Sequence, residues 1–445
     1  MACFALLDDC NATSTNPTSR LYTGFVREHR CIDPGRLDAV WRGVERDLAA
    51  GGHAVVLADY EWGARLNGVD TRAPEDGGAL RVLIFERLAQ LAAEEVEDWL
   101  AAQDADERVG YPYDGEHRAP ATVLAPRASV DREAFDAAIA RIHHAIGEGE
   151  TYQVNYTYRL DFDVFGSPAS LYRQLRARQP VAYGAFIALP AGPGASHVLS
   201  CSPELFLRHD AGRLVTRPMK GTSRRAPVVE GDSELARLLE ADEKNRAENL
   251  MIVDLLRNDL GRIAKLGSVR VPALFSIEPY ATVFQMTSTV EAELPDDVDF
   301  PAILRALFPC GSITGAPKRC TMQLIGGLES TPRGLYTGSI GWIDAPRGEA
   351  ACGDFCLSVA IRTLTLDGAT TGTLRRGRMG VGAGIVSDST AAEEFAECAL
   401  KARFLTGLVS DGAVEPHAGT ERRARRMQRG RDQQSTAEAT IAGGS

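Results

Sequence analysis

The 445-residue chain contains no run of about 18 apolar side chains, the length a helix needs to cross a hydrocarbon layer. Met1 to Leu7 is mildly apolar but runs directly into Asp8 and Asp9, so no secretory signal is expected. Cysteine occurs nine times, an odd number, and never as Cys-x-x-Cys. That disfavours a disulfide framework and fits a reducing, cytoplasmic compartment. Histidine is scarce at eight residues, and the one adjacent pair, His143 and His144, would point apart on a helix. No Gly-x-Gly-x-x-Gly opens a helix after a strand, and no Cys stands in a Gly-x-Cys-x-Gly elbow. A zinc enzyme, a dinucleotide-dependent dehydrogenase and a Ser or Cys hydrolase are therefore disfavoured. Positive charge is short as well: 49 Lys and Arg against 60 Asp and Glu leave −11. Such a body has little surface for displacing counterions from nucleic acid.

What is present is the composition of a folded enzyme-sized protein, 44% hydrophobic and 24% charged. Residues 1–125 carry β-rich runs, Ala54 to Ala58 and Leu80 to Phe85, and a helix expected over Leu88 to Leu100. Pro, Gly and charge cluster from Asp104 to Pro120, as at a loop or subdomain border. Residues 126–410 hold the strongest periodicity. Asp131 is placed to cap a helix with the stripe Phe135, Ala138, Ile139, Ile142 and Ile146, stopped by Gly147 and Gly149. Tyr152 to Val164 then alternates as a strand with one buried face. A long helical stretch from Ser233 to Leu260 breaks near Ala241 and Asp242, and Val269 to Val290 and Leu335 to Leu366 are β-rich. Ser389 is a candidate cap for a closing helix to about Leu405, with Gly407 as its stop. Residues 411–445 form an Arg-rich tail; Glu415 onward holds six Arg and four acids and almost no large apolar side chain, so disorder is expected. Strands and helices without regular alternation predict an α+β fold.

Three sets of residues have chemistry in reach. Glu394 and Glu397 share one face of the closing helix, and Glu248 projects from a second helix whose apolar stripe is Leu250, Val253, Leu256 and Leu260. Carboxylates from two helices suit a Mg²⁺ that keeps waters, although Glu397 also has Lys401 at i+4 as an ordinary surface partner. Thr216-Arg-Pro-Met-Lys-Gly-Thr222 places Lys220 between a Pro-fixed backbone and a Gly, where a pocketed amine can act as a nucleophile or a solvated Lys can sit in a loop. Gly311-Ser-Ile-Thr-Gly-Ala-Pro-Lys318 and Gly382-Ala-Gly384 are either tight turns or places where backbone N–H groups meet an anion.

In order along the chain these segments resemble the chorismate-utilising enzymes. The likeness rests on Tyr152-Gln-Val-Asn155, Ser202-Pro-Glu-Leu-Phe206, Pro218-Met-Lys-Gly-Thr222, Arg246-Ala-Glu-Asn-Leu-Met-Ile-Val-Asp254, Gly311 to Lys318, Arg333-Gly-Leu-Tyr336, Ala360-Ile-Arg362 and Gly382-Ala-Gly-Ile-Val386, over residues 130–407. It implies a single large domain of two packed, mostly antiparallel sheets flanked by helices, with the site between the sheets. It also implies Glu248 and Glu397 as Mg²⁺ carboxylates with Glu394 behind them, and backbone N–H groups of Gly382, Ala383 and Gly384 on a substrate carboxylate. Arg362 and Tyr336 would hold the enolpyruvyl carboxylate, Ser312 and Thr314 would face the substrate, and Glu204 would be the general acid for the departing C4 hydroxyl.

Two positions sort the family's members. Gln153 stands where isochorismate and salicylate synthases carry a water-activating Lys, and Lys220 stands where anthranilate synthases usually carry Ala. The resemblance therefore points to the aminodeoxychorismate synthases, transferases that aminate chorismate for 4-aminobenzoate and folate synthesis. In them the matching Lys is held to add at C2, after which ammonia displaces it through attack at C4. Ammonia would come from a separate glutamine amidotransferase subunit, and no lyase domain is expected in this polypeptide. Gln285, Asn245 and Cys310 depart from common family residues, with Asn245 leaving a less negative metal surround. The rivals are an anthranilate synthase component I and a silent chorismate-binding subunit that regulates its amidotransferase.

Overall fold

Hydrogen bonding joins every strand of the protein into one antiparallel ladder. The computed structural model describes residues 3–72, 74, 77–107, 121–192, 194–225, 229–279, 283–368 and 374–409. The strands are β1 (Phe4–Asp8), β2 (Ser19–Cys31), β3 (His53–Ala58), β4 (Leu80–Leu91), β5 (Thr122–Ala128), β6 (Gln153–Phe165), β7 (Tyr183–Ala188), β8 (Ala195–Ser202) and β9 (Leu205–Asp210). They continue with β10 (Arg213–Arg217), β11 (Met219–Arg224), β12 (Arg270–Pro279), β13 (Val283–Glu293), β14 (Gly315–Ala316), β15 (Ser339–Ile343), β16 (Phe355–Val359), β17 (Thr363–Asp367) and β18 (Leu374–Ile385). The helices are α1 (Leu37–Ala49), α2 (Tyr60–Leu66), α3 (Ala93–Glu107), α4 (Arg132–Gly147), α5 (Pro168–Arg178), α6 (Val229–Ala241), α7 (Glu243–Gly261), α8 (Phe300–Leu307), α9 (Lys318–Leu328) and α10 (Ala391–Thr406).

From one end, β5 and β14 flank one edge of β6, and β18 takes its other edge. Then come β17, β8, β7, β1, β2, β4, β3, β15, β16, β9, β10 and β13 in turn. β11 shares an edge of β13 with β10, and β12 covers the other edge. The class is the α+β one expected. Where two packed sheets were expected, a single ladder passes through β1 and curls on itself, so that Leu57 of β3 and Ile340 of β15 meet Ile187 of β7 and Val198 of β8 in one core. Apolar faces of a sheet must be covered, and curling lets this one cover itself.

Local signals explain most of the elements. Asp131 caps α4 by accepting from Ala134 N at 2.8 Å, and the helix buries Phe135, Ala138, Ile139 and Ile142 as the stripe requires, with Ala145 in place of Ile146. The break at Ala241 and Asp242 is real: Asp242 caps α7 through Asn245 N. The strand from Gln153 is buried throughout its first half: Phe135 of α4 packs on Tyr156, while the Asn155 and Thr157 side chains bond Ile313 and Glu329.

Three expectations are corrected. Leu88 to Leu91 belongs to β4, paired with β2 as far as Ser19 opposite Leu91, and the helix starts at Ala93; cross-strand pairing outweighs the helical propensity of this stretch. Thr390, not Ser389, caps α10 by accepting from Glu393 N, because Ser389 is drawn to Glu394. On α7 the inward stripe is Asn249, Ile252, Val253, Leu256 and Leu260, while Leu250 is 47% exposed.

The described residues up to Leu408 fall in one compact unit. The Arg-rich tail and most of the segment expected as a border, from residue 108 to Pro120, lie outside the described residues.

Candidate active site

The edge of β18 is where the site begins. β17 pairs with β18 only over Gly377 to Met379, so among the described residues no strand covers the edge from Gly380 to Ile385 that faces away from β6. In an antiparallel ladder a residue turns its N–H and C=O to the same side. The carbonyl of Gly382 accepts from Lys401 Nζ at 2.8 Å on that open edge, so the N–H of Gly382 points there too, and that of Gly384, two residues on, with it. The partner strand agrees: Thr157, opposite Gly382, gives its N–H to Glu329, and Asn155, opposite Gly384, gives its N–H to Thr314. Ala383 turns its N–H into the ladder toward Tyr156, so of the three residues expected to offer donors, Gly382 and Gly384 do.

Gly384 leaves room for the amine as well. A Cβ there would lie 2.8 Å from Lys220 Nζ and 3.0 Å from Gln153 Nε2. Lys220 arrives on β11, which pairs with β13, and its amine lies over the glycine edge. Gln153 is fully buried, and both its amide atoms are without a hydrogen-bond partner. Buried amides are nearly always bonded, so this one stands ready for a group that the protein alone does not supply.

Glu204 is near enough to the amine for the Lys220 charge to act on its carboxyl. It sits in the β8–β9 turn, 4% exposed, and Ser312 Oγ donates to its Oε1 at 2.7 Å. Burial pushes this carboxyl up to about 7, against the pull of the Ser312 hydrogen bond and the Lys220 charge. Across from it Glu397 is half exposed and receives Lys401 Nζ at 2.6 Å. Burial works to raise Glu397, but Lys401 first, then Lys220 and Lys244, hold its carboxyl below the ordinary value. The Lys220 charge is therefore felt by one carboxyl lifted to about 7 and by one held below its ordinary value. Such a divided pair is the signature of acid and electrostatic roles shared between two groups.

Glu394, 6% exposed, accepts from Ser389 Oγ at 2.6 Å through Oε1, while its Oε2 is buried without a partner. Burial raises its carboxyl, and the neighbouring Glu397 charge raises it further. An orphaned carboxylate oxygen beside an ionised Glu397 fits a hard divalent cation that draws few protein ligands and keeps waters. Glu248 is half-buried on α7, next to the inward-facing Asn249. Among the described residues no three His, Cys, Asp or Glu already stand together as a preformed cage. Asn245 donates to Asp242 and packs against Gly221, the residue after Lys220.

The remaining expected residues are spread along the same strand and beyond it. Thr314 is fully buried, its hydroxyl donating to the carbonyls of Cys310 and Gly311, so it shapes the turn that presents Ser312. Tyr336 packs its ring on Gly380, four residues and about 13 Å along β18 from Gly384 and on the same face. Arg362 has φ +49, a left-handed conformation costly for a side-chain-bearing residue, and its carbonyl accepts from Cys201 N at 3.0 Å. Strain of that kind persists where surrounding structure enforces it and often marks a functional position. Lys318, by contrast, is no anion ligand: its Nζ donates to Asp259 at 2.6 Å and to the Leu307 carbonyl at 3.0 Å.

Lys401 and Lys244 were missed as site residues. Lys401 was visible only as a surface partner for Glu397, and nothing in helical spacing announces that it also reaches the Gly382 carbonyl. Lys244 lies one turn before Glu248, a spacing that could have flagged it.

A curled antiparallel sheet with an amine over an open glycine edge, a buried glutamate of raised pKa and paired carboxylates on one helix is the arrangement to be matched, and the sequence supplies the class. The chain belongs to the chorismate binding enzymes, whose family model matches residues 10–407. Among its relatives, an aminodeoxychorismate synthase of Streptomyces griseus is 43% identical over 322 residues, which is 72% of this chain and 42% of that protein. The chain thus spans well under two thirds of that relative's length. The aminodeoxychorismate synthase component 1 of Salmonella typhimurium is 35% identical over 359 residues, 79% of this chain and 75% of that one. Among solved structures, anthranilate synthase component I from Streptococcus pneumoniae superposes with a TM-score of 0.63 at 28% identity, covering 80% of each chain.

Proposed function

We propose that the chain aminates chorismate at C4 to give 4-amino-4-deoxychorismate, the precursor of 4-aminobenzoate and folate. The observation that carries the reading is Lys220 Nζ set over Gly384, its charge felt by the buried Glu204 carboxyl. The Lys220 amine adds at C2 of the ring, both ring double bonds shift one position toward C4, and the C4 hydroxyl leaves as water with the proton of Glu204. Ammonia then adds at C4, Lys220 departs from C2 as the free amine, and the proton shed by the new ammonium restores Glu204. The enolpyruvyl group is retained, its carboxylate held by Arg362 and Tyr336, while the N–H groups of Gly382 and Gly384 receive a substrate carboxylate. A Mg²⁺ held by Glu397 and Glu248, with Glu394 behind, would neutralise the ring carboxylate and orient the ring.

Relatives whose names end in component 1 suggest a second component, and a glutamine amidotransferase that releases ammonia is the partner this chemistry asks for. All nine cysteines are free thiols, which suits a reducing cytoplasm, and among the described residues no helix is long and apolar enough to cross a membrane. The likeness to an anthranilate synthase component I keeps one rival in view. Incubation with chorismate, Mg²⁺ and ammonium salt, followed by mass identification of the product, separates the two: 4-amino-4-deoxychorismate supports the proposal, and anthranilate with free pyruvate refutes it.

A further inference from the structure

Three segments that build the site meet on one buried guanidinium outside it. Arg333 is 8% exposed. Its Nη1 donates to the Ile313 carbonyl at 3.0 Å and to Thr337 Oγ1 at 3.3 Å, and its Nη2 donates to the Asn155 carbonyl at 2.7 Å. Ile313 lies between Ser312 and Thr314, Asn155 stands opposite Gly384, and Thr337 follows Tyr336. Nε and Nη2 also fork onto Glu329 at 2.8 and 2.7 Å. Glu329 in turn accepts from the N–H and hydroxyl of Thr157, opposite Gly382, at 2.8 and 2.9 Å. Although burial disfavours its charge, the Glu329 carboxylate holds the guanidinium above its ordinary pKa.

The backbone of the same residue is clamped separately. Glu61, at the start of α2, accepts from Arg333 N at 2.6 Å and from Gly334 N at 2.9 Å. Tyr60 N donates to the Gly334 carbonyl at 2.9 Å, and the Tyr60 ring faces the guanidinium at 4.2 Å. A planar fork with five donors fixes both distance and direction to several acceptors at once, which a lysine ammonium cannot do.

We infer that Arg333 is a positioning residue: its fork sets the separation between the Ser312 turn, the open glycine edge and Tyr336, while Glu329 and Glu61 hold the fork. The inference rests on the chorismate reading and adds to it the device that spaces the two ends of the substrate. Arg333→Lys and Glu61→Gln, in the full chain, are compared with wild type by steady-state turnover of chorismate with ammonium, by calorimetric chorismate binding without ammonium, and by thermal melting. Misplacing binding groups by an ångström raises the chorismate KM and Kd together, by about tenfold to a hundredfold in Arg333→Lys and less in Glu61→Gln. A purely structural role would lower kcat with the folded fraction and leave KM in place, and that result overturns the inference. If Arg333→Lys does not fold, Glu61→Gln decides alone, since it keeps the side-chain shape and removes one acceptor; an unchanged KM in the folded variant is then the refutation. A wild type that turns over chorismate while neither variant shifts KM sinks the positioning role only. A wild type that neither binds nor consumes chorismate sinks the reading beneath it as well.

Discussion

Lys220 Nζ stands 2.8 Å from the point that a Cβ on Gly384 would occupy. The far end of a flexible side chain can retreat from that point, so Gly384→Ala is expected to fold with its melting temperature little changed. The retreat moves the amine off the ring, and kcat is expected to fall about tenfold to a hundredfold. Lys220→Ala removes the nucleophile itself: 4-amino-4-deoxychorismate formation should drop by several orders of magnitude while chorismate binding, measured by calorimetry, persists. Full turnover by Lys220→Ala would rule out covalent catalysis.

Glu204 sets the alkaline limb of activity. Its raised pKa of about 7 means the acid form is lost above that pH, so kcat/KM should decline by about tenfold per unit there. Ser312 donates to the carboxylate and lowers that pKa, so Ser312→Ala is expected to move the break upward even as the absolute rate falls. A break that stays put in the variant would remove Glu204 from the role of acid.

The same groups tie stability to pH. Burial lifts both Glu204 and, up to about 8, Glu61 above 4.5, so the native protein holds protons there that the unfolded chain has released. Their contribution is whole below pH 4.5 and is lost as pH rises through 7 and 8. Melting temperature should fall over that window, and Glu61→Gln should flatten the fall. An unflattened curve would locate the dependence elsewhere.

Chelation offers a check on the carboxylates of α7 and α10. Treatment with EDTA should abolish amination and added Mg²⁺ should restore it, and Glu248→Gln should raise the Mg²⁺ concentration needed for half activity. Undiminished turnover in excess chelator would exclude the metal.

The register of α7 is testable through stability alone. Leu256 is fully buried and Leu250 is 47% exposed. Leu256→Ala should cost about 2–5 kcal/mol in denaturant unfolding, and Leu250→Ala under about 0.5 kcal/mol. Equal costs would place the helix in another rotation.

What could be seen in the sequence follows the range of the interactions involved. The cap at Asp131, the break at Asp242 and the strand from Gln153 are local, and spacing revealed them. Lys220, Glu204 and Glu397 were legible because their segments carry the family's residue order; Lys220 Nζ lies over Gly384, and Glu397 shares Lys401 with the Gly382 carbonyl. The partner of Lys318 was not, because Asp259 lies on a different helix and no spacing rule links them. Leu250 misled because apolar character does not say which side of a helix the core will take. The fork of Arg333 joins residues 155, 313, 329 and 337, a convergence that only the folded ladder brings about.

That ladder passes through a five-residue strand near the amino terminus, since β1 is held by β2 on one edge and by β7 on the other, and β3 waits for β15. A nascent chain therefore cannot complete its sheet in the order of its synthesis. The earliest strands leave the ribosome with raw edges and must keep them from mispairing until the last third of the polypeptide arrives. Stalled nascent chains ending after β13 should stay protease-sensitive across β3, and should become resistant only once β15 has emerged.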